Sequence, residues 1–263
     1  MTENTRTVSR REFVKITTQL GISAAALEVV RRLRGNLTHA TASSKAGSSA
    51  YDWALAIDLD LCTGCNYCTY ACKASNDTAD GITWNAVYKD TEHFSKEVYV
   101  PRPCMHCEHA PCVDVCPVGA TYHRDDGLIA MNYDLCIGCR YCQVACPYGA
   151  RYFNWEKNDQ VNPMVPEWGE PEIERRPRGV VEKCTFCSQR LDAAVENNLT
   201  PGKDVAATPA CVNICPVGAR TFGDLNDPNS KVSRLLAERE NIVLREELGT
   251  HPRVHYLLPQ RKA

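Results

Sequence analysis

The sequence lacks any apolar run long enough to cross a lipid bilayer. Its apolar N-terminal stretch, residues 16–30 (ITTQLGISAAALEVV), spans only fifteen residues and contains Gln19 and Glu28. A transmembrane helix needs about 20 predominantly apolar residues, and no later window of the chain approaches that length. The mature protein is therefore expected to be soluble, or to be attached to a membrane only through a partner subunit.

The sequence also lacks a charge excess and the common catalytic motifs. Its formal net charge is −2, so no bulk electrostatic field favours binding to nucleic acid. It contains no GxGxxG nucleotide loop, no P-loop and no recognisable nucleophile–base set. Hydrophobic residues make up 44% and charged residues 24%, which is typical of a globular protein. We therefore expect a folded protein without a catalytic residue of its own.

Cysteine is present in clear excess, with sixteen residues in a chain of 263. Chains this rich in cysteine are usually short, secreted scaffolds that depend on disulfides because they lack a core. This chain is long enough for one or two domains with a real core. The cysteines are therefore expected to serve a purpose other than stapling the fold.

The N-terminal residues resemble a twin-arginine export signal. Residues 9–15 (SRREFVK) match the motif S-R-R-x-F-L-K except for Val14, and the weakly hydrophobic stretch that follows is typical of such signals. Small residues near Ala40 and Ala42 could be cut by a peptidase, although three arginines at 31, 32 and 34 precede them. The alternative is an amphipathic helix with a chance arginine pair. We expect residues 1–45 to be a twin-arginine signal and linker that directs the protein to the periplasm or the outer face of the cytoplasmic membrane.

The sixteen cysteines fall into four groups of related spacing. Groups one and three read C-x2-C-x2-C-x3-C, group two widens the middle gap to four residues, and group four widens it to twenty-three. Every group ends in C-x3-C; proline follows the last cysteine in groups two, three and four, whereas Lys73 follows it in group one. In chain order the groups are Cys62, Cys65, Cys68, Cys72; Cys104, Cys107, Cys112, Cys116; Cys136, Cys139, Cys142, Cys146; and Cys184, Cys187, Cys211, Cys215.

This spacing predicts four 4Fe–4S clusters. Three thiolates in a C-x2-C-x2-C loop can bind three irons of one cube, and the fourth cysteine, expected on the helix that follows, binds the other cluster in two-cluster ferredoxins. Disulfides are disfavoured because cysteines in so tight a run can hardly all reach distant partners at the required geometry. Structural zinc sites usually join two C-x2–4-C pairs, which suits group four alone. Export also agrees with clusters, because the twin-arginine pathway carries folded proteins whose clusters can be built in the reducing cytoplasm.

From about Trp53 to the C-terminus the sequence resembles the four-cluster iron–sulfur subunits of the molybdopterin oxidoreductases, of the dimethyl sulfoxide, polysulfide, thiosulfate and tetrathionate reductase type. The resemblance implies a non-catalytic subunit that relays single electrons in anaerobic respiration. Its implied partners are a molybdopterin catalytic subunit and an integral membrane quinone-reactive subunit. The motifs that carry the resemblance are DLCTGCNYCTYACK (60–73), CMHCEHAPCVDVCPVGA (104–120), EKCTFCSQRLD (182–192) and GDLNDPNSKVS (223–233).

The resemblance further implies nested ligand sets. Groups one and four would share two clusters, and groups two and three would share the other two. A nitrate reductase relative has tryptophan in the place of Cys139 and a three-iron cluster, so the cysteine here implies four 4Fe–4S clusters. The implied sets are Cys62, Cys65, Cys68 with Cys215; Cys184, Cys187, Cys211 with Cys72; Cys104, Cys107, Cys112 with Cys146; and Cys136, Cys139, Cys142 with Cys116.

The expected fold is α+β, with two ferredoxin-like 2×4Fe–4S units and insertions over residues 46–263. The spacers 73–103 and 147–183 are expected to be insertions at partner contacts. Apolar alternation and turn residues predict strands at 53–58, 128–131, 151–155 and 254–258, with a turn at 125–127. Helices are predicted at 189–198 and at 230–240, the second capped near Asn229.

Several other residues near the cysteines have predicted roles. His106 and His109 are expected to pack beside the clusters or to support their ligands, since the ligand count is complete without them. Gly64 and Gly138 either let the backbone approach a cluster or simply form tight turns. The tyrosines adjacent to cysteines are expected to shield clusters from water; these are Tyr67, Tyr70, Tyr141 and Tyr148.

A basic run near the end of the second spacer is expected to be a solvated loop, with docking on an acidic partner as the alternative. It comprises Arg175, Arg176 and Arg178. Two other functions remain open from the sequence. One is the iron–sulfur subunit of a periplasmic nickel–iron hydrogenase, although such subunits tend to end in a membrane helix and the tail HPRVHYLLPQRKA contains none. The other is a free periplasmic polyferredoxin.

Overall fold

The structure, a computed structural model, describes residues 51–94, 96–157 and 159–260. The predicted signal and linker over residues 1–45 lie outside the described residues. The described part mixes short helices with short strands, as the predicted α+β class requires. Its helices are α1 (Tyr67–Ser75), α2 (Pro111–Asp114), α3 (Tyr141–Ala145), α4 (Ser188–Asn197), α5 (Ala210–Asn213) and α6 (Lys231–Glu238).

The strands form one sheet of four strands and three two-stranded ribbons within the described ranges. No helix there is both long and apolar enough to cross a membrane. The strands are β1 (Trp53–Asp58), β2 (Ala86–Asp90), β3 (Val98–Arg102), β4 (Thr121–His123), β5 (Ile129–Met131), β6 (Tyr152–Phe153), β7 (Val181–Glu182), β8 (Arg220–Asp224), β9 (Asn241–Ile242) and β10 (Val254–Leu257).

The four-stranded sheet has the order β8-β1-β10-β9 and joins the two ends of the described chain. Strand β1 runs parallel to β10, with Leu55 opposite Val254, and antiparallel to β8, with Leu55 opposite Phe222. All six residues of β1 are buried, because the strand is covered on both faces. On one face Ala54 and Ala56 pack against Val232 of α6. Small side chains at these positions let the helix approach the sheet closely.

The predicted strands and helices are found with shifted ends. The turn at 125–127 joins β4 to β5, which form an antiparallel pair. The strand predicted at 151–155 is reduced to β6, which pairs with β7. The predicted cap of α6 at Asn229 is wrong by one residue: the Oγ atom of Ser230 accepts a hydrogen bond from the N–H of Ser233 at 3.1 Å. Serine at this position satisfies one of the unpaired N–H groups of the first helical turn.

Proline decides where the helices near the cysteines end. Helix α1 continues through Cys72 to Ser75, and Lys73 follows that cysteine. In the other three groups the helix ends one or two residues before the last cysteine, and proline follows that cysteine. Proline disfavours the helical conformation of the residue before it, as the extended ψ of 111° at Cys146 illustrates. The expectation that each fourth cysteine lies on a helix is therefore correct only for group one.

The two long spacers pack against each other beside α1. The side-chain amide of Asn162 donates to the carbonyl oxygen of Lys73 at 2.9 Å, and Arg175 forms an ion pair with Asp77 at 2.6 Å. The ring of Trp168 contacts the ring of Tyr67 with a centroid distance of 4.8 Å. These contacts are internal to the chain, and a role for the spacers at partner contacts stays a prediction.

Candidate metal centres

All sixteen cysteines lie within the described residues, and none is part of a disulfide bond. Cys65 and Cys139 are exposed, whereas most cysteines of groups two and four are buried. Burial raises the pKa of the Cys184 thiol to about 12 and that of the Cys211 thiol to about 11. Such thiols carry protons at neutral pH unless a metal displaces them, so metal binding here would release protons.

The structure brings cysteines of groups one and four together around one cavity. Its lining includes Cys62, Cys65 and Cys68 from the first loop and Cys215 from the far end of group four. The backbone N–H of Ala219 points at the Sγ atom of Cys215 from 3.3 Å. Four thiols from distant parts of the chain therefore surround a single space.

The remaining cysteines of groups one and four also lie together. The side-chain amide nitrogen of Asn76 lies 3.7 Å from the Sγ atom of Cys72 and 3.8 Å from that of Cys187, although the two cysteines belong to different groups. Burial raises the pKa of Cys72, and the neighbouring thiols of Cys184, Cys187 and Cys211 raise it further. These four thiols therefore form a second set.

Groups two and three interleave in the same way. A second cavity is lined by Cys116 of group two together with Cys136, Cys139 and Cys142 of group three. Elsewhere burial raises the pKa of Cys107 to about 12, and the adjacent Cys104, Cys112 and Cys146 add to that rise. In both pairs of groups, the last cysteine of one group lies with the first three cysteines of the other.

The glycines inside the two tight loops are required by their surroundings. Gly64 has a φ of 73° and Gly138 a φ of 68°, in the left-handed region that favours glycine. A Cβ atom on Gly64 would collide with the ring of Tyr99, and one on Gly138 would collide with the carbonyl oxygen of Gly179. The second collision is with backbone, so the group-three loop can lie against residue 179 only if residue 138 has no side chain.

Three buried cations beside the cysteines were missed from the sequence. Arg151 and Arg220 are 2% and 4% exposed, and Lys183 is fully buried. The Nη2 atom of Arg151 lies 2.9 Å from the Sγ atom of Cys112. A repeat could have revealed the two arginines: CPVGAT, CPYGAR and CPVGAR end groups two, three and four, and the arginines occupy its last position. Lys183 has no such signal beyond standing next to Cys184.

The histidine prediction is consistent with the contacts of His106. Its Nδ1 atom accepts a hydrogen bond from the N–H of Ile129 at 3.2 Å, and Nε2 lies 3.1 Å from the carbonyl oxygen of Cys184. Burial lowers the pKa of His106 well below its ordinary value, so the ring is neutral and Nε2 donates. The ring also stacks on Phe186 with a centroid distance of 4.0 Å. His106 therefore packs beside the cysteines and positions the backbone of Cys184.

The shielding role predicted for the tyrosines is right for only some of them. Tyr148 is buried, and its hydroxyl lies 2.5 Å from the Oγ1 atom of Thr250. Tyr67 and Tyr70 pack against Trp168. Tyr141, by contrast, is 63% exposed, so most of its side chain faces solvent in this chain.

The solvated loop predicted for the basic run is wrong for its first two residues. Arg175 pairs with Asp77, and both side chains are largely buried. Arg176 is almost fully buried, pairs with Glu182 at 2.6 Å and lies over the ring of Trp84. Long-range carboxylates therefore draw these arginines inward, which their local sequence does not reveal.

The four sets suit iron–sulfur cubes by their donor chemistry. Each set offers four thiols and no competing carboxylate or imidazole, and no three His, Cys, Asp or Glu side chains of the described ranges converge on a site for a single metal ion. The Nε and Nη1 atoms of Arg220 are buried without a hydrogen-bond partner among the described residues, and the side chain lines the first cavity. Cluster sulfides accept hydrogen bonds, so these unpaired donors fit such a group.

Family models and known relatives agree with this chemistry. Two models of the 4Fe–4S dicluster domain match the chain, one over residues 61–120 and 135–219 and the other over residues 95–162. Two dicluster domains and sixteen cysteines correspond to four 4Fe–4S clusters.

The chain is also similar to iron–sulfur subunits of several respiratory complexes. It is 41% identical to the menaquinone reductase iron–sulfur cluster-binding subunit of Nitratidesulfovibrio vulgaris, over 78% of this chain and 88% of the relative. It is 40% identical to the arsenate respiratory reductase iron–sulfur subunit of Shewanella sp. strain ANA-3, over 77% and 94%. It is 35% identical to a tetrathionate reductase subunit of Salmonella typhimurium, over 95% and 88%.

Proposed function

Because the chain belongs to the iron–sulfur electron-transfer subunits of the molybdopterin oxidoreductases, we propose that it connects a molybdopterin catalytic subunit to a membrane quinone-reactive subunit through four clusters held by nested cysteine sets. The clusters supply one-electron transfer, and the chain itself converts no substrate. The folding unit that does this is a pair of ferredoxin-like halves. Groups one and four form one half, and groups two and three form the other.

The proposed ligand sets follow the proximity of the thiols. Cys215 binds with group one's first three cysteines, and Cys72 binds with group four's first three. Cys116 binds with group three's first three, and Cys146 binds with group two's first three. The observation that carries the proposal is the first cavity, where thiols more than 140 residues apart in sequence share one space. No local folding motif would bring them together.

The proximity of the sets also supports a linear order. The set of Cys62, Cys65, Cys68 and Cys215 comes first, because Cys68 acts on the pKa of Cys211 in the next set. Cys104 acts in the same way on Cys184, and Cys112 acts on Cys142. The first set contains the exposed Cys65 and the last contains the exposed Cys139. The chain therefore offers one accessible end for each of two redox partners.

We further propose that the protein works on the periplasmic side of the cytoplasmic membrane after export in folded form. The support is the SRREFVK motif and the family's membrane partners. A folded route suits the nested sets, because a chain that crossed a membrane unfolded could not retain clusters that join its two ends.

Metal analysis of the anaerobically purified complex tests the proposal. The chain should hold about sixteen irons and sixteen sulfides, given one thiolate for each iron. A larger subunit containing molybdenum should purify with it in equal amount. Stoichiometric zinc, or eight disulfides found by mass spectrometry, would rule out the clusters. Full iron loading with nickel in place of molybdenum would instead indicate a hydrogenase subunit, and full loading without any partner would indicate a free polyferredoxin.

A further inference from the structure

One buried cation lies at each junction between neighbouring thiol sets. Arg220 lies between the first two sets, since its charge acts on Cys62 and on Cys211. Arg151 lies between the last two sets, since it contacts Cys112 and acts on Cys142. The third cation, Lys183, lies at the central junction, where the two halves of the chain of clusters meet.

The surroundings of Lys183 include sulfurs from both central sets. Its side chain is fully buried, and its Nζ atom donates a hydrogen bond to the carbonyl oxygen of Cys184 at 2.8 Å. Its charge acts on the thiol of Cys184 in one half and on those of Cys104 and Cys112 in the other. Lys183 is therefore the cation of the described residues that spans the junction of the two halves.

Lys183 has no carboxylate to balance its charge. Its neighbour Glu182 pairs instead with Arg176, at 2.6 Å, and among the described residues no carboxylate forms an ion pair with Lys183. An unpaired buried charge is costly, so a fully buried ammonium requires another source of negative charge. The thiolates and sulfides of the two central clusters would supply that charge.

We propose that Lys183 holds one positive charge between the two central clusters and thereby raises the reduction potentials of both. The inference rests on the proposed function, because it requires clusters in these sets. A reduced cluster carries one more negative charge than an oxidised one, so a nearby cation stabilises the reduced form. The charge thus favours transfer of an electron into the centre of the chain from either end.

Substitution of Lys183 with potentiometric measurement tests this role. The full chain is assembled anaerobically with its partners as Lys183→Met, which removes the charge, Lys183→Gln, which keeps a donor for the Cys184 carbonyl, and Lys183→Arg, which keeps the charge. Cluster potentials are followed by electron paramagnetic resonance, with Cys107→Ser and Cys139→Ser serving to assign the signals. Both neutral variants should keep about sixteen irons by the one-thiolate-per-iron count. Their two central clusters should shift to lower potential while the outer two change less.

Lys73→Met is the matched control. Lys73 is also a buried lysine, but its Nζ atom binds the carbonyl oxygens of Ala79 and Ile82, at 3.0 Å and 2.7 Å. Its loss should leave the potential of the cluster held by Cys104, Cys107, Cys112 and Cys146 unchanged. Lys183→Arg should keep all four wild-type potentials.

The outcomes separate this inference from the proposed function. Unchanged potentials in fully loaded Lys183→Met, or equal shifts of all four clusters, would overturn the role of Lys183 and leave the proposed function standing. Iron loss in all three Lys183 variants would assign the residue a purely structural role and overturn the inference. Iron loss in both neutral variants with full loading of Lys183→Arg would support a required charge. A wild-type protein that binds no iron would overturn the proposed function itself.

Discussion

The guanidinium of Arg151 lies 2.9 Å from the Sγ atom of Cys112, although the two residues are 39 positions apart and follow different cysteine groups. The same guanidinium donates to the Oγ1 atom of Thr121 at 2.8 Å. Thr121 and Arg151 occupy the equivalent last position of the CPVGAT and CPYGAR segments. The interleaving of groups two and three thus extends beyond the cysteines to the residues that surround them.

The nested sets predict which cluster each fourth cysteine supports. Cys146→Ser should damage the cluster held mainly by group two, because the Cys146 thiol lies with those of Cys104, Cys107 and Cys112. Its electron paramagnetic resonance spectrum should therefore resemble that of Cys107→Ser. Cys139→Ser is the comparison variant for the group-three cluster. A Cys146→Ser spectrum that matched the Cys139→Ser spectrum would show the nested assignment to be wrong.

Gly138→Ala should destabilise the group-three loop far more than a similar change at Gly149. Both glycines have a positive φ, so alanine costs about 1–2 kcal/mol at either position. Only at Gly138 would the new methyl group also collide with the backbone of residue 179, which adds about 1–3 kcal/mol. Gly149 has no atom near its added Cβ and is the matched control. Iron retention during a denaturant titration measures the difference, and equal loss from both variants would contradict the prediction.

Arg176→Ala should destabilise the fold by about 3–5 kcal/mol, because it leaves the carboxylate of Glu182 buried and unpaired. Replacing both partners, as Arg176→Met with Glu182→Gln, should restore most of that stability because no lone charge remains. Arg178→Ala is the control, since Arg178 is exposed and donates to the carbonyl oxygen of Trp155. The midpoint of unfolding in denaturant gives the three values. A double variant as unstable as Arg176→Ala would show that the cost does not come from the unpaired charge.

The export proposal predicts that both arginines of SRREFVK are needed. Arg10→Lys combined with Arg11→Lys should leave the protein in the cytoplasm with its clusters assembled, because assembly precedes transport. The fractions are compared by immunoblot and by iron content. The isolated subunit must be tested as well as the complex, since a catalytic partner with its own signal could carry this subunit across. Normal periplasmic recovery of the isolated variant would remove the main support for a periplasmic location.

The sequence predicts this chain well wherever its information is local. Cysteine spacing reveals the four groups, and the apolar run WALAID reveals β1, because both depend only on nearby residues. The partners of Arg175 and Arg176 could not be predicted in this way. Asp77 lies 98 residues before Arg175, and no pattern near either residue indicates their pairing.

Burial of charge is the other property that the sequence conceals. Lysine next to a cysteine ordinarily suggests a solvated side chain, yet Lys183 is fully buried. Tyr141 shows the opposite error, because an aromatic residue beside a cysteine suggested shielding and proves to be 63% exposed. Both depend on how distant segments close over the site, which only the assembled fold determines.

The parallel pairing of β1 with β10 has a consequence for biosynthesis. The first strand to leave the ribosome waits about 200 residues for its neighbour, because Leu55 pairs with Val254. Groups two and three lie within residues 104–146, so their half can close while the ribosome is still translating the rest of the chain. The other half can close only after residue 254 has emerged. The order of synthesis therefore makes the inner half the first to accept iron, and the strand nearest the N-terminus among the last to become fixed.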